Sequence, residues 1–289
     1  MSPENHPETV YSSRPEPVWR HANPFRMAAS LWRHRELIFH LSAREVQARY
    51  RGSYLGVLWS LITPLMMLLI YTFVFSVIFK ARWGNAASEA HSSYALIMFT
   101  GMVAYSLFSE SVSAASNVVR GNLTYVKRVV FPLEILPVSI LGSALVNSLI
   151  GLGIVMTGLI IFHGGIAWSV IYLPLAYLPL LCLTLGFSWF VAALGVFVRD
   201  VGNFVTVALQ MLFFATPILY PPSTVPEQVR PLLWLNPFST IVEGFRRTMI
   251  WGQQPDWPAF GVVTIFSAFV MMTGYLWFMK SKGAFADVV

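Results

Sequence analysis

The six histidines, His6, His21, His34, His40, His91 and His163, are scattered, and none stands at metal-ligand spacing from a second ligand, which argues against a metal centre. Ser109-Glu110-Ser111 sets hydroxyls beside a carboxylate, yet no histidine or lysine is spaced to activate either serine, so nucleophilic hydrolysis is unsupported. No GxxxxGK[ST] phosphate loop occurs, and ATP binding through such a loop is not expected. What remains is charge beside long apolar runs, where an unpaired carboxylate in hydrocarbon costs several kcal/mol. Glu110 lies roughly 16 residues into the second such run, about 24 Å along a helix and near its far end. Two readings stand for it: an acid that snorkels or pairs with an arginine, or a group facing a water-filled path. Arg199-Asp200, at the end of the fourth run, reads as an interfacial pair.

The stretch from Gln47 to Pro64, QARYRGSYLGVLWSLITP, concentrates the other features. Arg49 and Arg51 precede the first apolar run, with Arg44 shortly before them. Gly52-Ser53 provides a break where the backbone can turn, because glycine tolerates angles closed to other residues. Pro64 falls about ten residues after Tyr54, where it would kink a spanning helix near mid-membrane.

These groups must be positioned by a membrane architecture. Of 289 residues 56% are hydrophobic and only 11% charged, with a mean hydropathy of +0.63, against roughly 25% charged in soluble domains. Apolar runs of about 20 residues recur, each long enough to cross a roughly 30 Å hydrocarbon layer as a helix. The short alternating segments of a membrane barrel are missing. The net charge of +6 does not point to nucleic acid, because the basic residues flank apolar spans instead of forming one polar domain. The single cysteine, Cys182, rules out an intrachain disulfide.

The expected fold is an all-α membrane protein. Residues 1–23 read as a flexible polar tail without the apolar core of a cleavable signal, so the first span should serve for targeting. Residues 24–53 read as an amphipathic interfacial helix, with Leu37, Leu41 and Ala48 near one face and Arg33, Glu36, Arg44 and Arg51 on others. Residues 54–289 form the transmembrane domain. Its six expected spans are approximately Leu55–Phe79, Tyr94–Ser116, Ile135–Phe162, Ser169–Val198, Asn203–Tyr220 and Phe260–Met279. With a cytoplasmic N-terminus, all of the 19 lysines and arginines except Lys80, Arg82, Arg230, Arg246 and Arg247 fall inside, which places both termini in the cytoplasm.

Three segments stand out within this plan. The inside loop Asn117–Glu134 is basic but carries Tyr125, Val126, Val129, Val130 and Phe131, too apolar to be left uncovered, which suggests a docking surface. The outer region 221–258 holds many prolines yet stays apolar. Within it a helix is expected from Pro237 to Trp251, with Asn236 as N-cap, Gly252 at the exit, and a stripe of Phe238, Ile241, Val242, Phe245 and Met249 opposite a Glu243–Arg247 pair. In the third span Ser139, Ser143, Asn147 and Gly151 repeat every fourth residue, a spacing that lets helices approach closely. Of the many aromatics, most read as interfacial belt or core; a few could line a path for sugars, whose C–H faces stack on rings.

The blocks RYRGSYLGVLWSLITPLMMLLIYTFVF, LFSESVSAASNVVRGNLTYVKRVVFPLEILP, ALGVFVRDV and LNPFSTIVEGFRR, in this order, resemble the permease subunit of polysaccharide-type ATP-binding-cassette exporters, the family of O-antigen, capsule and teichoic acid permeases. The resemblance runs from about Leu37 to the C-terminus. It implies a multi-pass protein of the bacterial inner membrane, working as a homodimer among membrane lipids. Two copies of a separate nucleotide-binding subunit would bind ATP and Mg²⁺ and drive export of an undecaprenyl-pyrophosphate-linked glycan, most closely O-antigen. No cofactor and no catalytic role belong to this chain in that scheme. It implies coupling to the ATPase through Tyr125, Lys127, Arg128 and Phe131, lipid-pyrophosphate contacts at Arg44, Arg49 and Arg51, and a pore lined by the first and fifth spans with Tyr54, Trp59, Tyr71 and Tyr220 as candidates. Gly52 and Pro64 become its hinge. A membrane enzyme acting on polyprenyl phosphates would need clustered acids, and the 13 acidic residues are dispersed. An ion-coupled transporter would carry several mid-membrane charges, of which Glu110 alone comes near.

Overall fold

The structure, a computed structural model, describes residues 23–78, 83, 91–126 and 131–288. The polar tail up to residue 22, Phe79, Lys80 and Arg82, and Lys127, Arg128, Val129 and Val130 of the inside loop lie outside the described residues. Those described are helical with short connections: α1 (Pro24–Arg33), α2 (Arg35–Tyr50), α3 (Trp59–Tyr71), α4 (His91–Val118), α5 (Leu123–Val126), α6 (Ile135–His163), α7 (Leu173–Phe197), α8 (Val201–Ala215), α9 (Arg230–Leu235), α10 (Pro237–Met249), α11 (Trp257–Ser281) and α12 (Phe285–Val288).

Among the described residues, four stretches are long and apolar enough to cross a membrane: Tyr94–Val118, Ile135–His163, Trp168–Phe197 and Trp257–Ala284. The expected first and fifth spans correspond to shorter apolar helices, Trp59–Phe75 and Val201–Ala215. At 1.5 Å per residue the 15 residues of α8 reach about 22 Å, short of the hydrocarbon thickness. Helix α8 stops because Thr216 precedes Pro217, and a residue before proline is pushed to extended angles, here φ −96° and ψ 136°. The expected run to Tyr220 is therefore a helix and a turn.

The segment expected to be one interfacial helix is two helices. The chain breaks at His34, whose backbone N–H donates to the carbonyls of Ser30 and Leu31. Asn23, expected in the tail, instead caps α1 by accepting from the Phe25 N–H at 2.9 Å. Met27 of α1 and Leu41 of α2 enter one buried cluster with Ile135, Leu136, Trp189 and Phe278, so both helices are docked on the bundle.

α4 is the central helix and is buried along most of its length, whereas α6 and α11 each keep a broad exposed apolar side. Small residues set the closest approaches. A Cβ on Gly186 of α7 would fall 2.6 Å from the Val270 backbone of α11, and one on Gly274 would strike the Gly186 carbonyl. On α6, a Cβ at Gly151 would come within 2.8 Å of Val103 on α4, so this part of the spaced small-residue face packs inside the subunit.

Candidate functional site

The end of α2 and the turn after it carry the three arginines. Gly52 (φ +83°) and Gly56 (φ +51°) both hold left-handed angles that favour glycine, so the break extends further than Gly52-Ser53 alone. After it α3 begins at Trp59 and continues through π-helical turns from Thr72 to Ile78. Pro64 therefore sits in the second turn of this helix, the sixth of the 13 residues of α3. Helix α3 has no buried residue and shows solvent or lipid a nearly continuous apolar surface, including Leu61, Leu65, Met66 and Leu69.

Two of the arginines are engaged within the chain. Arg49 forms an ion pair with Glu110 of α4. The Asn147 side-chain amide of α6 donates to both Glu110 oxygens, at 3.0 and 3.3 Å. Of the two readings of Glu110, the arginine-paired acid is the one the structure contains, and Asn147 serves as a hydrogen-bond donor beyond its place in the small-residue series. Three elements that are distant in sequence thus meet on one carboxylate.

Arg44 reaches in the other direction. Its Nη1 donates to the Tyr125 hydroxyl at 2.8 Å, Nη2 donates to Asn122 Oδ1 at 3.4 Å, and the guanidinium lies 5.7 Å from the centre of the Tyr125 ring. Tyr125 stacks in turn on Phe131, with centroids 4.4 Å apart and planes 8° from parallel. The loop after α4 is further fixed by Arg120, which donates to the Val196 carbonyl at the end of α7 at 2.8 Å. Arg51 lies exposed in the turn.

The four candidate pore aromatics lie in the turn before α3, on α3 and after α8. Tyr54 is fully exposed in the turn and Trp59 is exposed at the start of α3; Tyr71 packs on Phe75. Tyr220 follows α8 and donates to the Phe214 carbonyl at 3.0 Å. Arg199 and Asp200 lie exposed between α7 and α8 without an ion pair to each other.

On the opposite side, α10 matches the sequence reading closely. Asn236 Oδ1 accepts from the Phe238 N–H at 3.0 Å, and all five residues of the expected stripe are buried. The expected Glu243–Arg247 pair is not formed; Arg247 Nε donates to the Gln254 carbonyl at 3.1 Å instead. Burial pushes the Glu243 carboxyl above its ordinary range, against the opposing pull of Arg246 and Arg247. Arg246, read from sequence only as one of the outer charges, is completely buried. It donates to the carbonyls of Ile97 (3.2 Å), Pro217 (2.7 Å) and Ile218 (2.9 Å), and its guanidinium stacks 4.3 Å from the centre of the Trp83 ring. Burial lowers it to about 10, with Glu243 opposing, so it stays charged at neutral pH. The signal for it was present: Arg246 follows Val242 by four and precedes Met249 by three, on the buried stripe.

The sequence profile of the ABC-2 type transporter family matches residues 36–250, the stretch from α2 to the end of α10 that contains both arginine clusters. The chain belongs to the ABC-2 type transporter family. It is a transport protein of this family rather than an enzyme. Among relatives of this ABC-2 transporter, the O-antigen export system permease protein RfbA of Myxococcus xanthus is 31% identical over 80% of the chain and 86% of its own length. An RfbA of Klebsiella pneumoniae is 24% identical over 88% and 95% respectively. The polysialic acid transport protein KpsM of Escherichia coli is 22% identical over 81% and 89%.

Proposed function

We propose that this chain is the membrane subunit of an exporter that moves a lipid-linked polysaccharide across the bacterial inner membrane, powered by ATP hydrolysis in a separate nucleotide-binding subunit. O-antigen is the favoured cargo, because the relative at 31% identity carries that name. Capsular glycan is the second reading, on the 22% match to a polysialic acid transport protein. In this reading two copies enclose the path, α3 and α8 complete a count of six crossings with their neighbouring turns, and both termini face the cytoplasm. The exposed apolar face of α3 is where the second copy and the acyl carrier would find contact.

The observation that carries the reading is the bridge from Arg44 to Tyr125 and its stacked Phe131. A motion imposed on the inside loop by an ATPase reaches α2 through that contact and, past Gly52 and Gly56, the base of α3. Lys127 and Arg128 would complete the docking surface. Arg51, together with Arg44 and Arg49 when released from their present partners, would receive the pyrophosphate of the carrier. Copurification with a nucleotide-binding ATPase subunit and reconstitution in vesicles tests this: transport should require ATP, and replacing the three arginines by Gln should lower both export and ATPase stimulation. Transport by the isolated permease without nucleotide would refute it.

A further inference from the structure

A cavity of about 860 Å³ opens between α7, α9, α10 and the first turns of α11. Its charged wall holds Arg230, Glu243, Arg247 and Asp256. Asp256 caps α11, its Oδ1 accepting from the Ala259 N–H at 3.4 Å, and Arg247 is held at the same end by the Gln254 carbonyl. From there the lining follows α11 inward to Val263 and Phe266, about 15 Å beyond Asp256 at 1.5 Å per residue. The slot is thus polar at one end and apolar along its length. It continues onto the exposed apolar side of α11, where Val262, Ile265 and Phe269 face outward.

The two cations and two carboxylates balance, yet they do not satisfy one another. Glu243 makes no ion pair among the described residues, since Arg246 is directed at three backbone carbonyls and Arg247 at Gln254. A part-buried carboxylate in that position favours an incoming cation. We propose that this cavity binds one zwitterionic glycerophospholipid of the surrounding bilayer, its ammonium at Glu243, its phosphate at Arg247 and Arg230, and an acyl chain along Val263 and Phe266. Charge balance selects a zwitterionic head over an anionic one, and the apolar slot leading onto α11 selects an amphiphile over a soluble ligand. The site is independent of which glycan is exported.

The test uses the full chain, purified in mild detergent after reconstitution with equal phosphatidylethanolamine and phosphatidylglycerol, and native mass spectrometry of the washed protein. One phosphatidylethanolamine should be retained per chain in preference to phosphatidylglycerol. Glu243→Gln and Arg247→Gln should each lower that retention about tenfold, the effect of losing one charge-assisted hydrogen bond. Gly244→Trp provides a variant that leaves the charges in place: a Cβ there meets nothing within 4 Å, and the ring would fill the cavity and abolish retention. Equal retention of the two lipids, or retention unchanged in all three variants, overturns the proposal. So does a photo-crosslinker at Val262 that captures a second copy of the chain in place of lipid.

Discussion

Replacing Arg49 by Gln removes the cation facing Glu110 and leaves Asn147 as its remaining anchor. The two side chains are 36% and 26% exposed, so the pair stands between two regimes. Fully exposed pairs are worth about 0.2–1 kcal/mol and broken buried pairs cost roughly 3–5 kcal/mol. A hydrogen bond to a charged group, at about 1.5–3 kcal/mol, gives the same middle ground. A loss of about 1.5–2 kcal/mol is expected, or roughly 3–8 °C in melting temperature for a chain of this size. The assay is thermal unfolding of the purified permease for Arg49→Gln, Glu110→Gln and the double variant, with export measured in parallel. Both single variants should lose stability and the double variant should lose less than their sum, because they remove one shared interaction. Export should fall further in Arg49→Gln than in Glu110→Gln if the arginine also meets the anionic carrier. Additive losses, or single variants within about 1 °C of wild type, would refute the three-way anchor.

Arg44→Gln should change stability by less than about 1 kcal/mol, since the side chain is exposed, yet reduce the permease's stimulation of its ATPase; Tyr125→Phe should do the same more weakly, read by ATP turnover of the complex. Gly274→Val should destabilise by several kcal/mol or prevent assembly, because its Cβ meets the Gly186 backbone, and the yield of folded protein on size exclusion reports it. Arg246→Lys should cost about 3 kcal/mol or more, since an ammonium cannot reproduce the fork that reaches three carbonyls over a Trp ring. The depressed pKa of Arg246 contributes pH dependence only above about 10, so stability from this residue should be flat through the neutral range. For Glu243 the raised pKa means the folded state holds its proton longer; stability from this group falls as pH rises through that pKa, so in delipidated protein Glu243→Gln should stabilise at neutral pH and lose its advantage in acid.

The elements governed by local rules were legible. Asn236, Pro237 and the spacing of Phe238, Ile241, Val242, Phe245 and Met249 define α10 with its cap and buried face. The positions of the four long apolar helices followed equally from hydropathy. What was not legible depended on contacts made elsewhere. The break at His34 has no proline or glycine to announce it and accompanies the docking of Met27 and Leu41 on one cluster. Glu110 could not be given a partner, since Arg49 and Asn147 come to it from other helices. Arg246 was misread for a different reason: its position follows the apolar period, but its charge suggested the surface.

The contact between Gly186 and Gly274 bears on how the molecule is made. Helix α11 leaves the ribosome after α7 and α10, against which it packs, and just beyond its end the Lys282 ammonium reaches Glu134 at 2.7 Å. Until it arrives, α7 has a bare strip of backbone along the side that will be crossed, and the start of α6 keeps an uncompensated acid. Synthesis therefore passes through a state in which the bundle is inserted but unclosed, and a chain cut before Gly274 would offer the quality-control proteases of the membrane that open side.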